Sequence, residues 1–231
     1  MTRNRMGWAS TVLNPAAKRF AAACGDGSRV LDIGAAYGTA SLAALGRGAV
    51  VLANDLDERH LQDLWLRTPE DRRARLRLLP GRFPGGLGEN PGPLDAVLAS
   101  NVFHFLNGRQ IRLGLGDIHG WLRPGGRLFV QAATPYQAPF AAFLPEYERR
   151  VAEAAEWPGW IAKLSEYCRH RQIGQMPRAI HLLDLPVLER ECAAAGFAVE
   201  WALLHTRPDL PESLRLDGRE SLGLVAVKSG C

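Results

Sequence analysis

Apolar positions in this chain fall into short unbroken runs separated by stretches with helical spacing. One run covers 29–33, and a second, Ala49-Val-Val-Leu-Ala-Asn-Asp55, closes on a carboxylate. Further strands are predicted at 75–79, 94–100 and 127–131, and two closing strands at 197–204 and 222–227. Helical spacing fills the intervals at 38–46, at 108–121 and at 184–195, with Gly196 just past the last of these. Another helix starts from Asp57 as N-cap and carries His60, Leu61, Leu64 and Trp65. An alanine-rich stretch over 8–24 predicts an opening helix, with Asn14-Pro15 as either its start or a break within it. Uniformly apolar strands alternating with helices imply a mostly parallel sheet covered on both faces.

Proline and glycine punctuate this pattern. Pro80-Gly81 stops the third strand and a Pro/Gly-rich loop follows to Pro93, while Leu122-Arg-Pro-Gly-Gly126 is a turn that no helix crosses. After Thr134 the pattern changes. Residues 138–175 read as two helices and loops rich in rings: Phe140, Phe143, Tyr147, Trp157, Trp160 and Tyr167. The chain therefore reads as one domain over 1–231, with a helical segment at 1–25 and a helical cap insertion at 134–183.

Composition narrows the class. A hydrophobic share of 47% suits a folded globular protein. No apolar run approaches the ~20 residues that span a bilayer. Arg3 and Arg5 precede no apolar signal core, so a cytoplasmic location without a membrane partner is expected. Cys24, Cys168, Cys192 and Cys231 show no C-x-x-C or metal-ligand spacing, so reduced thiols and no metal are expected. The net charge of +4 comes almost wholly from arginine. Arg72, Arg73, Arg75 and Arg77 form the densest cluster, and three of them alternate with apolar residues, which predicts the solvated face of one strand. No aromatic stacking pattern accompanies them, so nucleic acid is not expected as a partner.

The chemistry concentrates at the first two strands. A strand delivering the glycine turn Gly34-Ala-Ala-Tyr-Gly38, then a strand delivering Asp55, is the core of a nucleoside-binding α/β domain. With Leu31-Asp-Ile-Gly34, Asp95, Ser100-Asn-Val-Phe-His-Phe-Leu106, Leu122-Arg-Pro-Gly-Gly126 and Ala195-Gly-Phe197, the chain resembles the class I S-adenosylmethionine-dependent methyltransferases. The resemblance covers 30–131 firmly and the last two strands loosely. It implies an α/β fold with a seven-stranded, mostly parallel Rossmann-like sheet, helices on both faces and an antiparallel C-terminal strand. The helical insertion then follows the fifth strand.

The resemblance implies S-adenosyl-L-methionine as cofactor, held by Asp32, Gly34, Ala35, Ala36, Gly38, Asp55, Leu56, Arg82, Phe83, Ser100 and Asn101. Asp55 is expected to accept both ribose hydroxyls, and Leu56 to wall the adenine. Asp32 either orients the glycine turn or reaches the cofactor's ammonium group through water. The Ser100 carbonyl is expected to meet the amino-acid end, with Asn101 helping it or capping the next helix. Two positions depart from the family's pattern. Ala36 stands where glycine is usual, and the loop Pro80-Gly-Arg-Phe-Pro84 lacks the acid that accepts the adenine amino group, leaving Phe83 to pack on that ring.

His104, just beyond the fourth strand, is the candidate general base, with a partly buried structural histidine as the alternative. Trp8, Tyr136, Trp157, Trp160 and His181 are candidate substrate contacts, or else the insertion's own core. The leading function is an enzyme of EC 2.1.1 type that methylates oxygen or nitrogen of a small-molecule acceptor, as a monomer or homodimer. Alternatives are a methyltransferase of RNA or protein, an NAD-dependent oxidoreductase, and a non-catalytic nucleoside-binding protein. The spacing Gly34-x-x-x-Gly38 fits the dinucleotide fingerprint poorly.

Overall fold

The computed structural model describes residues 11–88, 90–168 and 177–230. Its strands are β1 (Arg29–Ile33), β2 (Val50–Asp55), β3 (Leu76–Pro80), β4 (Leu94–Ser100), β5 (Leu122–Ala133), β6 (Trp160–Ile161), β7 (Ile180–His181), β8 (Phe197–His205) and β9 (Ser221–Lys228). The helices are α1 (Pro15–Ala23), α2 (Thr39–Leu45), α3 (Glu58–Arg67), α4 (Glu70–Arg73), α5 (Gly108–Trp121), α6 (Leu144–Ala152) and α7 (Leu185–Ala194). Seven strands form one sheet in the order β3-β2-β1-β4-β5-β9-β8, and β6 pairs separately with β7. Within the large sheet β9 runs antiparallel to both neighbours, while β1 to β5 pair in parallel. The predicted Rossmann-like class is thus the fold observed.

Side-chain alternation explains why both faces are covered. One face sends Leu31, Ile33, Leu52, Val97, Leu128 and Val130 against Ile111, Leu115 and Ile118 of α5 and Leu188 of α7. The other sends Val30, Val51, Leu98 and Phe129 against Phe20 of α1, Ala44 of α2 and Leu61 and Leu64 of α3. A third cluster (Phe140, Phe143, Tyr147, Ile161, Leu164, Ile180, Leu182) is the core of the insertion. Burying such a side chain contributes roughly 1.5–3 kcal/mol. Helix starts carry their own signals. Asn14 and Asp57 cap α1 and α3, and Asn107 forms a capping box with Gln110 at α5. Among the described residues no helix is long and apolar enough to cross a membrane.

Three predicted elements are corrected. The fifth strand begins at Leu122, not at 127, because Leu122 caps α5 in an extended conformation and pairs at once with Leu94. Lys228 holds this junction by donating to the His119 and Leu122 carbonyls. The arginine cluster does not line one strand. Arg72 and Arg73 sit in α4 and Arg75 pairs with Asp26 at 2.9 Å, leaving Arg77 on β3. The insertion is not wholly helical. After a 3-10 turn at Ala138–Phe143 and α6, it contains the β6–β7 pair, whose two-residue strands are too short to show a period.

Candidate functional site

The glycine turn leaves β1 at the C-terminal end of the sheet, where open α/β sheets bind ligands. Gly34 has φ +68° and Gly38 has φ +73°. A Cβ on Gly34 would lie 2.5 Å from Val102 Cγ2, and one on Gly38 would lie 2.1 Å from Leu64 Cδ1. Ala36 between them is left-handed as well, at φ +47°. Two bonds hold it there. The Ala35 amide donates to the Asn54 carbonyl at 2.8 Å, and the Ala36 amide donates to Asp55 Oδ2 at 2.8 Å.

Asp55 ends β2 as a buried carboxylate. Besides the Ala36 amide, it accepts from the Asp57 amide on Oδ1 at 2.9 Å and meets His60 Nδ1 on the same oxygen at 3.1 Å. A carboxylate offers about four acceptor positions, so these three contacts leave one position on Asp55 open.

Asp32 is buried and accepts from Ser41 Oγ at 2.7 Å, which ties β1 to the first turn of α2. Burial pushes its carboxyl up to about 7; the Ser41 hydrogen bonds oppose this and the charge of Asp55 adds to it. The native state then keeps a proton that the unfolded chain loses between about pH 4 and 7. Stability therefore falls as pH rises through that window. Asp32→Asn keeps an acceptor for Ser41 and removes the titration. Its thermal midpoint is expected to exceed wild type by more near pH 8 than near pH 5; an equal difference at both, by calorimetry, would refute this origin.

β4 ends at Ser100, whose Oγ accepts from Asn14 Nδ2 at 2.9 Å. Asn101 is left-handed at φ +59° and its amide donates to the Gln131 carbonyl. It caps no helix: Asn107 caps α5. His104 lies in the 3-10 turn Phe103–Phe105, buried, with its Nδ1 accepting from the Ala133 amide at 3.5 Å. Burial, reinforced by Arg207, pushes its pKa down to about 3. The lone pair faces a backbone donor, so Nε2 carries the proton of the neutral ring. A ring so placed holds a second proton poorly, which counts against the general base and favours the structural alternative.

The β3 loop departs further from expectation. Phe83 is a core residue, stacked on Phe103 at 6.4 Å and tilted against Trp121. Gly114 makes the room, since a Cβ there would sit 2.6 Å from Phe83 Cζ. Phe83 is therefore not presented to an adenine ring. Arg82 bridges to Gly86, whereas Leu56 stands out from the rim with 54% of its surface exposed.

The insertion sits over the ends of β4 and β5. His181 meets the Leu106 carbonyl through Nδ1 at 3.1 Å, and the Leu183 amide donates to the Ala133 carbonyl at 2.9 Å. His181 is buried between Trp157 and Trp160, at ring distances of 5.0 and 5.6 Å, and burial pushes its pKa down to about 4. Arg112 and Arg190 lie over Trp157. Tyr136 lies under the Arg219 guanidinium at 3.7 Å and edge-on to Tyr147. These side chains knit the insertion to the body, and His181 Nε2 is buried there without a hydrogen-bond partner. Trp8 falls outside the described residues.

Sequence reasoning misses two features. In the sequence His60 reads only as part of an apolar helix face, although a histidine one turn beyond an acid is an available signal. Gln131, a fully buried amide in an apolar strand, pairs in register with Ser100 and lies 3.0 Å through Oε1 from His205 Nε2. Gln131 Nε2 and, across from His205, Ser221 Oγ are buried without a partner.

Sheet order and rim together define the class I methyltransferase fold, and the cofactor of that class is S-adenosyl-L-methionine. Residues 31–128 match a family model described as a methyltransferase domain. Solved structures extend the likeness over nearly the whole chain. A SAM-dependent methyltransferase from Methanosarcina mazei aligns at TM-score 0.67 and 12% identity, covering 94% of this chain and 98% of that one. A Burkholderia thailandensis 1,6-didemethyltoxoflavin-N1-methyltransferase, solved with 1,6-didemethyltoxoflavin and S-adenosylhomocysteine, aligns at 0.63 and 21%, covering 94% and 78%. The N-methyltransferase NodS from Bradyrhizobium japonicum aligns at 0.60 and 13%, covering 93% of each chain. At these identities the likeness is one of fold. A search of curated proteins finds no match.

Proposed function

We propose that the chain transfers a methyl group from S-adenosyl-L-methionine to oxygen or nitrogen of a small-molecule acceptor. The observation that carries this reading is the glycine turn meeting Asp55 at the sheet's upper rim. The residues fit the cofactor: the turn brings backbone close, Asp55 retains an open acceptor, and Leu56 presents an uncovered apolar surface. When bound, the cofactor supplies a methyl group already activated on a sulfonium. The remaining work for this chain is to bind, align and exclude water, and alignment alone contributes ~7–11 kcal/mol in favourable cases.

In this reading Asp55 grips the ribose and the Ser100 carbonyl faces the amino-acid end. His104 donates from Nε2 to the acceptor, and the buried amide of Gln131 offers a second donor beside Ser100. The acceptor then gives up its proton to solvent. His104→Gln, which keeps a donor near Nε2, is expected to hold turnover within about threefold. His104→Leu is expected to lose about tenfold, with S-adenosylhomocysteine affinity unchanged in both. Equal losses in the two variants would restore the general base. The function itself is tested by incubating protein and cofactor with fractionated cell extract and searching by mass spectrometry for products heavier by one CH₂. Products confined to the RNA or protein fraction would overturn the small-molecule reading.

A further inference from the structure

Three of the roughly four acceptor positions on Asp55 are filled from within the chain. The Ala36 amide takes one on Oδ2, and the Asp57 amide and His60 Nδ1 take both on Oδ1. His60 comes from the first turn of α3, with 1% of its surface exposed and its ring edge-on to Tyr37 at 5.2 Å. An ionised carboxylate only accepts, so the nitrogen facing it carries the proton whatever the charge on the ring. Backbone fixes the other two donors. Only the third is a side-chain choice, and it decides how much of the acid is left for a ligand.

We propose that His60 is a positioning residue that fills Oδ1 and leaves Asp55 to read a single ribose hydroxyl through Oδ2. This rests on Asp55 being the ribose ligand, as argued under Proposed function. A pentose diol then makes one charge-assisted bond to the acid, and the second hydroxyl finds water or backbone. His60 acts through Asp55 and touches no cofactor atom.

Calorimetric titration with S-adenosylhomocysteine and its 2′-deoxy and 3′-deoxy analogues tests this on wild type, His60→Leu and His60→Asn. In wild type one analogue is expected to bind about tenfold weaker than the parent, and the other within about twofold. His60→Leu vacates Oδ1, so both analogues should bind about fivefold or more below the parent on that variant. His60→Asn places an amide donor near the Nδ1 position and should restore the one-sided pattern. Wild-type losses of about tenfold on both analogues would overturn single-hydroxyl reading. A one-sided pattern surviving in His60→Leu would overturn the role of His60. Should that variant fail to fold, the wild-type panel still decides the first point. No loss on either analogue, or no binding of the parent, would refute Asp55 as ribose ligand, an outcome distinct from the other two.

Discussion

Asp55→Ala is expected to weaken S-adenosylhomocysteine binding by at least about tenfold, ~1.4 kcal/mol, and to lower stability without ligand as well. The two losses share one cause. In the proposed reading the carboxylate is the ligand's acceptor, and it is also the post to which the glycine turn, the α3 entry and His60 are tied. Truncation leaves buried donors unpaired, at roughly 1–3 kcal/mol each where water cannot reach them. Asp55→Asn separates the effects. Its amide keeps one oxygen for the Ala36 turn but sets an N–H against other donors, so affinity should fall between alanine and wild type. Calorimetry with S-adenosylhomocysteine reads the first loss and thermal unfolding of the free protein reads the second. Wild-type affinity in the alanine variant would remove Asp55 from the site.

The parts of this architecture legible in the sequence are those with a strong local cause. Apolar runs had to become doubly covered strands, and Gly34 and Gly38 mark backbone with positive φ. Asp55 announces itself by ending a buried strand. The parts missed depend on distant partners. Phe83 sits in a Pro/Gly-rich loop that reads as surface, and only the absence of a side chain at Gly114 admits its ring to the core. His104 looks reactive beside its strand until burial, reinforced by Arg207, depresses its basicity. β6 and β7 are set by pairing between Ile161 and Ile180, residues far apart in the chain, which no local period reports.

Gly159→Ala is expected to unseat the insertion while leaving the sheet folded. A Cβ there would lie 1.7 Å from the Leu182 carbonyl oxygen and 2.9 Å from its carbon. Both are backbone atoms, so no rotamer change relieves the clash. The Leu182 amide also donates to the Gly159 carbonyl at 2.9 Å, which locks the two segments together beside β6 and β7. Overpacking typically costs about 1–3 kcal/mol, and a backbone obstacle places this substitution at the upper end. The cost falls on the cluster of Phe140, Phe143, Tyr147, Ile161, Leu164, Ile180 and Leu182. That cluster reaches the body through His181 and Leu183, at the rim where an acceptor would lie. Asp55 shares none of these contacts, so S-adenosylhomocysteine affinity should stay within about twofold. Methyl transfer should fall by about tenfold or more as water enters the site. Hydrogen exchange resolved by peptide should speed up over the insertion and stay slow over β1, β4 and β5. An insertion as protected as in wild type, or cofactor affinity lost in step with transfer, would mean that cap and nucleoside floor are not separable units.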